Sequence, residues 1–202
     1  MYILYSYPVS THSRRVAALL EELGMSYESR IVDLVAGESM SPDYLAINPN
    51  HQVPTLIDGS LRIHESNAIL RYLCTKHSRD DWYPTDLDQR VRTEQWLDWN
   101  QCRLGPSVSD IVLNKVFLGD RGDKAAIARG EERLPESLDI LNDGLAGRDF
   151  LIGERPTIAD LSVGSNITHL SFAKAAPTQV HIKNWIARVC AIDGFRKTLP
   201  SA

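Results

Sequence analysis

The chain contains no run of eighteen apolar residues, so it lacks the length of hydrophobic sequence that a membrane-spanning helix requires. It also lacks a basic cluster. Lys and Arg number 22 against 26 Asp and Glu, a formal net charge of −4, which argues against nucleic acid or an anionic membrane as a partner. The opening Met1-Tyr2-Ile3-Leu4-Tyr5 carries neither a basic start nor a small-residue cleavage site, so no secretory leader is expected. Cysteine is scarce: Cys74, Cys102 and Cys190 are far apart and odd in number. They read as reduced thiols filling small core positions, and the cytoplasm is the expected location. Internal repeats and low-complexity segments are absent too. What is present, 43% hydrophobic and 24% charged residues in 202, suffices for a substantial core in one domain or two small ones.

The stretch around which the rest is arranged is Tyr7-Pro8-Val9-Ser10-Thr11-His12-Ser13-Arg14. It follows a strand-like run (Tyr2 to Tyr5) and opens an apolar-periodic helix (Val16, Ala17, Leu19, Leu20, Leu23). A loop at such a junction points side chains off the end of a strand and offers helix N–H groups and a positive dipole end to an anion. Ser10 and Ser13 have the spacing of a Cys-x-x-Cys redox pair, but both carry oxygen. A hydroxyl forms no disulfide, yet it donates a hydrogen bond to a thiolate supplied by a ligand. The competing interpretation is an ordinary helix N-cap, and these eight residues leave the two open.

The remaining pattern predicts a helix over Arg14–Leu23 closed by Gly24, a strand over Tyr27–Leu34 and a short helix near Pro42–Ala46. Strands at Val53–Ile57 and Leu61–Ile63 flank the Asp58-Gly59-Ser60 turn, and a helix covers about Ser66–Lys76. Ser78–Asp86 reads as a linker. Beyond it nearly everything is helical in period: Leu87–Leu104, Ser107–Leu118, Asp123–Leu145 with Pro135 expected to kink or split it, Ile158–Phe172 and Val180–Ala191. The expectation is an α/β part over 1–77, a linker over 78–86 and an all-helical part over 87–202.

Three further segments carry chemistry or punctuation. In Asn48-Pro49-Asn50-His51-Gln52-Val53-Pro54-Thr55-Leu56, a proline just before an apolar strand sits at the strand's first residue or in a cis turn that aims the preceding backbone at a ligand. In Ile63-His64-Glu65-Ser66-Asn67-Ala68-Ile69-Leu70, Ser66 is a candidate helix cap whose neighbouring N–H groups could hold a carboxylate, and Glu65 could pair with an ammonium. A cap plus a dipole-favoured acid explains the same residues without function. Thr157-Ile158-Ala159-Asp160 resembles a capping box with Asp at the third helical position, a structural device.

In this order and spacing, the Ser-x-x-Ser-Arg loop, Asn-Pro-x-x-x-Val-Pro-Thr-Leu, Glu-Ser-x-Ala-Ile-Leu-x-Tyr-Leu and Phe-Leu-Ile-Gly-x-x-Pro-Thr-x-Ala-Asp resemble the cytosolic glutathione transferase superfamily over nearly the whole chain. Ser10 four residues before Arg14 is similar to serine-type theta and delta-like members, His51 looks delta-like, and Trp96-Leu97-Asp98-Trp99 resembles many bacterial members. The resemblance implies a thioredoxin-like N-terminal domain followed by an all-helical C-terminal domain, a homodimer, glutathione as co-substrate, a small hydrophobic electrophile and no metal. It implies Ser10 as donor to the glutathione sulfur and a backbone pairing of Val53 with the cysteinyl residue before a cis Pro54. Glu65 and Ser66 would hold the γ-glutamyl amine and carboxylate, His51 would reach the glycyl end, and Gln52 and Asn67 count among the glutathione-binding residues. A free thiol with a pKa near ~8.5 is only slightly ionised at neutral pH, and the thiolate is the nucleophile, so a donor at the sulfur has a clear purpose.

Tyr7 is the rival donor. Aligning Pro8-Val9 with the Pro-Val of tyrosine-type classes places Ser6, not Tyr7, at the tyrosine position, and one residue along a strand is the opposite face. Ser13 or Thr11 could substitute if the loop sits differently, with Ser13 expected to cap the helix. The loop Gly37-Glu38-Ser39-Met40-Ser41-Pro42 has no cation where delta-like relatives often carry one, and Asn67 stands where an arginine is often found. The electrophile pocket is expected between the two parts, at Val9, Trp99, Arg103, Ser107 and Ile111, with core packing as the alternative for Trp96 and Trp99. Two other activities stay open at this level: a glutathione-fold binding module without turnover, and a glutathione-dependent peroxide reductase.

Overall fold

Alternation in the first strand sets the N-terminal layer. In a computed structural model describing residues 1–199, Tyr2–Ser6 forms β1 with Tyr2, Leu4 and Ser6 buried and the intervening residues half-buried. A helix, α1 (Thr11–Glu22), and a parallel strand, β2 (Tyr27–Ile31), complete the β-α-β unit expected from the sequence. Strand β2 ends three residues earlier than expected because the Asp33 carboxylate accepts from the Val35 and Ala36 N–H groups and turns the chain. After a short helix, α2 (Pro42–Leu45), the hairpin β3 (Thr55–Asp58) and β4 (Leu61–His64) adds antiparallel to β1, giving the order β2-β1-β3-β4. Strand β3 starts after Pro54, which has no N–H to give to a ladder. Helix α3 (Ser66–Lys76) follows, burying Ile69, Leu70 and Leu73.

The all-helical part begins with one continuous helical stretch rather than two helices. Helix α4 (Leu87–Trp99) widens into a π turn at Asn100–Leu104, resumes as α5 (Gly105–Val112) and widens again at Leu113–Phe117. The expected break before Ser107 is absent because the Gly105 N–H bonds the Asn100 carbonyl five residues back, so the ladder has changed register where Pro106 lacks a donor. Helix α6 (Lys124–Gly144) runs unbroken through Pro135, so of the kink or split expected there the split does not occur. Helix α7 (Ile158–His169) is buried almost all round, as befits a central helix, and α8 (Val180–Ala191) lays Ile182, Trp185 and Val189 inward.

The chain divides into two compact units: Met1–Arg79 with the chain from Ala191 onward, and Asp80–Cys190. The sequence had assigned the last residues to the helical part, and 200–202 of that range lie outside the described residues. Instead α9 (Asp193–Lys197) packs on α1: a Cβ on Gly194 would lie 2.3 Å from the Ala18 carbonyl oxygen, and the Gly194 N–H donates to Glu22 Oε2 at 2.8 Å. The expected linker also carries a fixed point, because Trp82 is buried and its carbonyl accepts from the Ile158 N–H at 2.9 Å.

The capping box appears as read from the sequence. Asp160, fully buried, accepts from the Thr157 N–H at 2.8 Å, the Thr157 hydroxyl at 3.2 Å, the Leu151 N–H at 3.0 Å and Trp185 Nε1–H at 2.8 Å. Burial pushes its carboxyl above the usual aspartate range while these four donors pull the other way. Asp160→Asn substitutes an NH2 for one acceptor and leaves donors facing a donor. Chemical denaturation should show a loss of about 2–4 kcal/mol, with the helical unit the first to lose its near-UV signal.

Candidate functional site

At the β1–α1 turn, Ser10 occupies the N-cap of α1. Its Oγ accepts from the Ser13 N–H at 3.2 Å, and its carbonyl accepts from the Arg14 N–H at 2.9 Å. Ser13, expected to be the cap, instead turns its hydroxyl back to accept from the Tyr7 N–H at 3.2 Å. Ser13 is buried and Ser10 is partly open. A hydroxyl has one proton and two lone pairs, so accepting at the cap leaves the Ser10 proton available to an incoming acceptor. The rival Tyr7 is half-buried and packs against the small cluster of Val32, Tyr44 and Val53.

The second loop is held from within. Asn48 Nδ2 donates to the Gln52 carbonyl at 2.9 Å and to Thr55 Oγ1 at 3.0 Å, and its Oδ1 accepts from the Asn50 N–H at 3.0 Å. The Tyr44 hydroxyl donates to the same Gln52 carbonyl at 2.6 Å. The Val53–Pro54 peptide is cis and both residues are buried, whereas His51 and Gln52 are exposed and His51 has a φ of 47°.

The third piece departs from the expected capping. The N-cap position of α3 belongs to Glu65, and Ser66 is its first helical residue. Glu65 is exposed, makes no capping hydrogen bond and sits at φ 68°, ψ 107°, a backbone conformation costly for a residue with a Cβ. Ser66 and Asn67 are buried. Ser66 Oγ lies 3.3 Å from His12 Nδ1 and accepts from Arg15 Nη1 at 3.5 Å, while Asn67 Oδ1 accepts from the same Nη1 at 3.4 Å. His12, Asn48, Gln52, Val53, Pro54, His64, Glu65 and Ser66 line a cavity of about 130 Å³. A carboxylate, helix N–H groups, a hydroxyl and an imidazole thus surround one small recess, a set able to hold a zwitterion.

Comparison with known proteins decides the family. Residues 1–75 match the family described as "Glutathione S-transferase, N-terminal domain", and residues 124–188 match "Glutathione S-transferase, C-terminal domain". The chain is 32% identical over 202 residues to glutathione S-transferase 2 of Anopheles gambiae, covering 98% of this chain and 95% of that one. It is 36% identical over 172 residues to glutathione S-transferase F10 of Arabidopsis thaliana, covering 83% and 77%. This chain belongs to the glutathione S-transferase family. Its structure superposes with a TM-score of 0.89, at 28% identity, on the theta class glutathione S-transferase from Xanthomonas axonopodis pv. citri with glutathione bound, covering 100% of this chain and 98% of the other. The thioredoxin-like N-terminal domain and helical C-terminal domain follow from the same findings.

For a glutathione S-transferase, the site residues read from the sequence fall into groups. Val53, Pro54, Glu65, Ser66 and Gln52 line the recess; Asn67 lies buried behind it; His51 is outside the lining; and Ser10 is two residues from His12, which lines it. Val9 is half-buried in the first unit. In the helical unit, Trp99 meets Trp96 edge-to-face at 5.1 Å, and both line a cavity of about 310 Å³ with Arg92 and Arg148. Arg103 is exposed, Ser107 is buried, and Ile111 is buried against Gly130 of α6.

Sequence reasoning passed over His64, which lines the recess, and Arg15, which lies beneath it. Arg15 did leave a signal: it stands in the buried stripe of Thr11, Ala18 and Leu19, where a basic residue in an amphipathic helix is out of place.

The geometry at position 65 yields a stability prediction. Glu65→Gly removes a backbone cost of about 1–3 kcal/mol at the price of about 1 kcal/mol in unfolded-chain entropy, and loses no capping bond. Its melting temperature should equal or exceed that of the wild type. A clear fall would mean that the Glu65 side chain stabilises the fold.

Proposed function

We propose that this glutathione transferase activates glutathione through Ser10, whose hydroxyl donates to the sulfur and holds it as the thiolate that attacks a small hydrophobic electrophile. The observation that carries this reading is the double position of Ser10: its oxygen is fixed by the Ser13 N–H at 3.2 Å, which orients the side chain at a helix N-terminus and leaves its proton for the ligand. A hydrogen bond to a charged sulfur, together with the dipole end, accounts for a fall of about one to two pKa units, or roughly 1.4–2.7 kcal/mol.

The γ-glutamyl ammonium is assigned to the exposed Glu65 carboxylate and the γ-glutamyl carboxylate to Ser66 at the start of α3, with Asn67 supporting it. The unrelieved backbone conformation of Glu65, which earns no cap, supports a ligand-binding role. The Val53 backbone is assigned to the cysteinyl residue next to Pro54, and the exposed His51 with Gln52 to the glycyl carboxylate. The 37–42 loop offers that end no cation; its Glu38 instead accepts from the Asp33 N–H at 2.7 Å. The electrophile is assigned to Val9, Trp99, Arg103, Ser107 and Ile111. The protein works as a cytoplasmic homodimer, in keeping with its family; among the described residues no helix is long and apolar enough to cross a membrane.

Ser10 has two jobs that substitution separates. Ser10→Ala loses the cap, at about 1 kcal/mol, and the donor; Ser10→Gly keeps most of the capping preference and loses only the donor. Both should raise the pKa of bound glutathione by one or two units and cut the neutral-pH conjugation rate about 10- to 100-fold. Raising the pH should restore most of that rate, because the thiol then ionises unaided. Ultraviolet titration of bound thiolate, with the rate profile for an activated aryl halide, measures both. An unchanged profile in both variants, with loss instead in Tyr7→Phe or Ser13→Ala, would move the donor elsewhere.

A further inference from the structure

One charged group near the recess has no place in the mechanism so far. Arg15 projects from α1 with no exposed surface, and its Nη1 reaches both of the first two residues of α3, Ser66 Oγ at 3.5 Å and Asn67 Oδ1 at 3.4 Å. Keeping a guanidinium away from water is expensive, and an apolar residue in this stripe would pack without that cost.

We propose that Arg15 is a positioning residue for the α-carboxylate of the γ-glutamyl group, setting Ser66 and Asn67 from below and supplying the positive charge that this carboxylate meets. The inference rests on the assignment of the γ-glutamyl end to Glu65 and Ser66. The chemistry is directional. The guanidinium has donors only, so the Ser66 oxygen and the Asn67 amide oxygen turn towards it. Neither the hydroxyl proton of Ser66 nor the NH2 of Asn67 is directed at the guanidinium. His12 Nδ1, 3.3 Å from Ser66 Oγ, takes part in the same chain of contacts. Burial pulls the guanidinium down to about 9, which still leaves it charged at neutral pH. A low-dielectric setting makes that charge felt over several ångströms, beyond Ser66 Oγ and Asn67 Oδ1.

The test compares two ligands by calorimetric titration: glutathione, and 4-aminobutyryl-cysteinyl-glycine, which is the same peptide without the α-carboxylate. Wild type should prefer glutathione. Arg15→Gln should weaken glutathione binding about tenfold and change binding of the analogue less than twofold. Should that variant fail to fold, Arg15→Lys carries the test. A lysine in this position titrates far below its usual range, so the preference for glutathione should be retained at pH 6 and fade by pH 8, while the wild-type preference stays level. Equal weakening of both ligands, or a Lys variant with a level preference, would overturn the proposal and make Arg15 a packing residue. Ser66→Ala separates the underlying assignment. If it abolishes the preference while the Arg15 variants keep it, only the role of Arg15 falls. If Ser66→Ala and the Arg15 variants all keep it, the γ-glutamyl placement itself is overturned, and Arg15 with it.

Discussion

Every helix leaves N–H groups without partners in its first turn, and this constraint organises the chain. Ser10 answers it for α1, Ser41 for α2, Asp86 for α4, Asp123 for α6 and Thr157 with Asp160 for α7. Helix α9 borrows Glu22 from α1, which draws the end of the chain onto the first unit. Helix α3 differs. Glu65 stands at its cap position with no capping bond and a costly backbone, and beside it lie a buried hydroxyl and a buried amide. Where the starts of α1, α2, α4, α6 and α7 are closed by the protein's own side-chain oxygens, α3 has no side-chain cap, which is the opening that the proposed ligand carboxylate would use.

Asp160 and Arg15, charged side chains with no exposed surface, show the same physics put to different ends. Asp160 is surrounded by four short donors from three separate segments, so its burial fixes the loop before α7, the start of α7 and the position of α8 together. Arg15 makes long contacts to α3, at 3.4 and 3.5 Å. Short, convergent bonds lock a structure. Arg15, in the proposed arrangement, instead directs its charge towards what enters the recess.

Much of this was legible because it is local. The strand-like run Tyr2–Tyr5, the Asp58-Gly59-Ser60 turn and the Thr157–Asp160 box each express a preference complete within a few residues. The continuity from Leu87 to Phe117 was not, because a proline reads as a break unless the register shift anchored by Asn100 is known. That asparagine is held by Ser162 and Asn166, more than sixty residues away. Helix α9 was missed as part of the first unit for the same reason: the evidence lies in a glycine that fits only against Ala18 and Glu22. In the site, residue types announced Ser10, Glu65 and Ser66, but their exchange of roles did not show. Sequence spacing alone does not say which of two serines caps a helix, nor that the acid rather than the hydroxyl takes the cap position of α3.

In the proposed mechanism that exchange lets one hydroxyl serve both fold and chemistry at Ser10. A side chain that only stabilised a thiolate would need its own means of orientation, and a side chain that only capped a helix would be indifferent to the ligand. Because a hydroxyl accepts and donates at once, the helix supplies the orientation through the Ser13 N–H, and the remaining proton is the one the proposal assigns to the sulfur. The same N-terminus that needs an acceptor favours negative charge nearby, so the cap and the thiolate gain from one dipole. A cysteine or an alanine at this position would satisfy at most part of that arrangement, which ties the choice of serine to both demands.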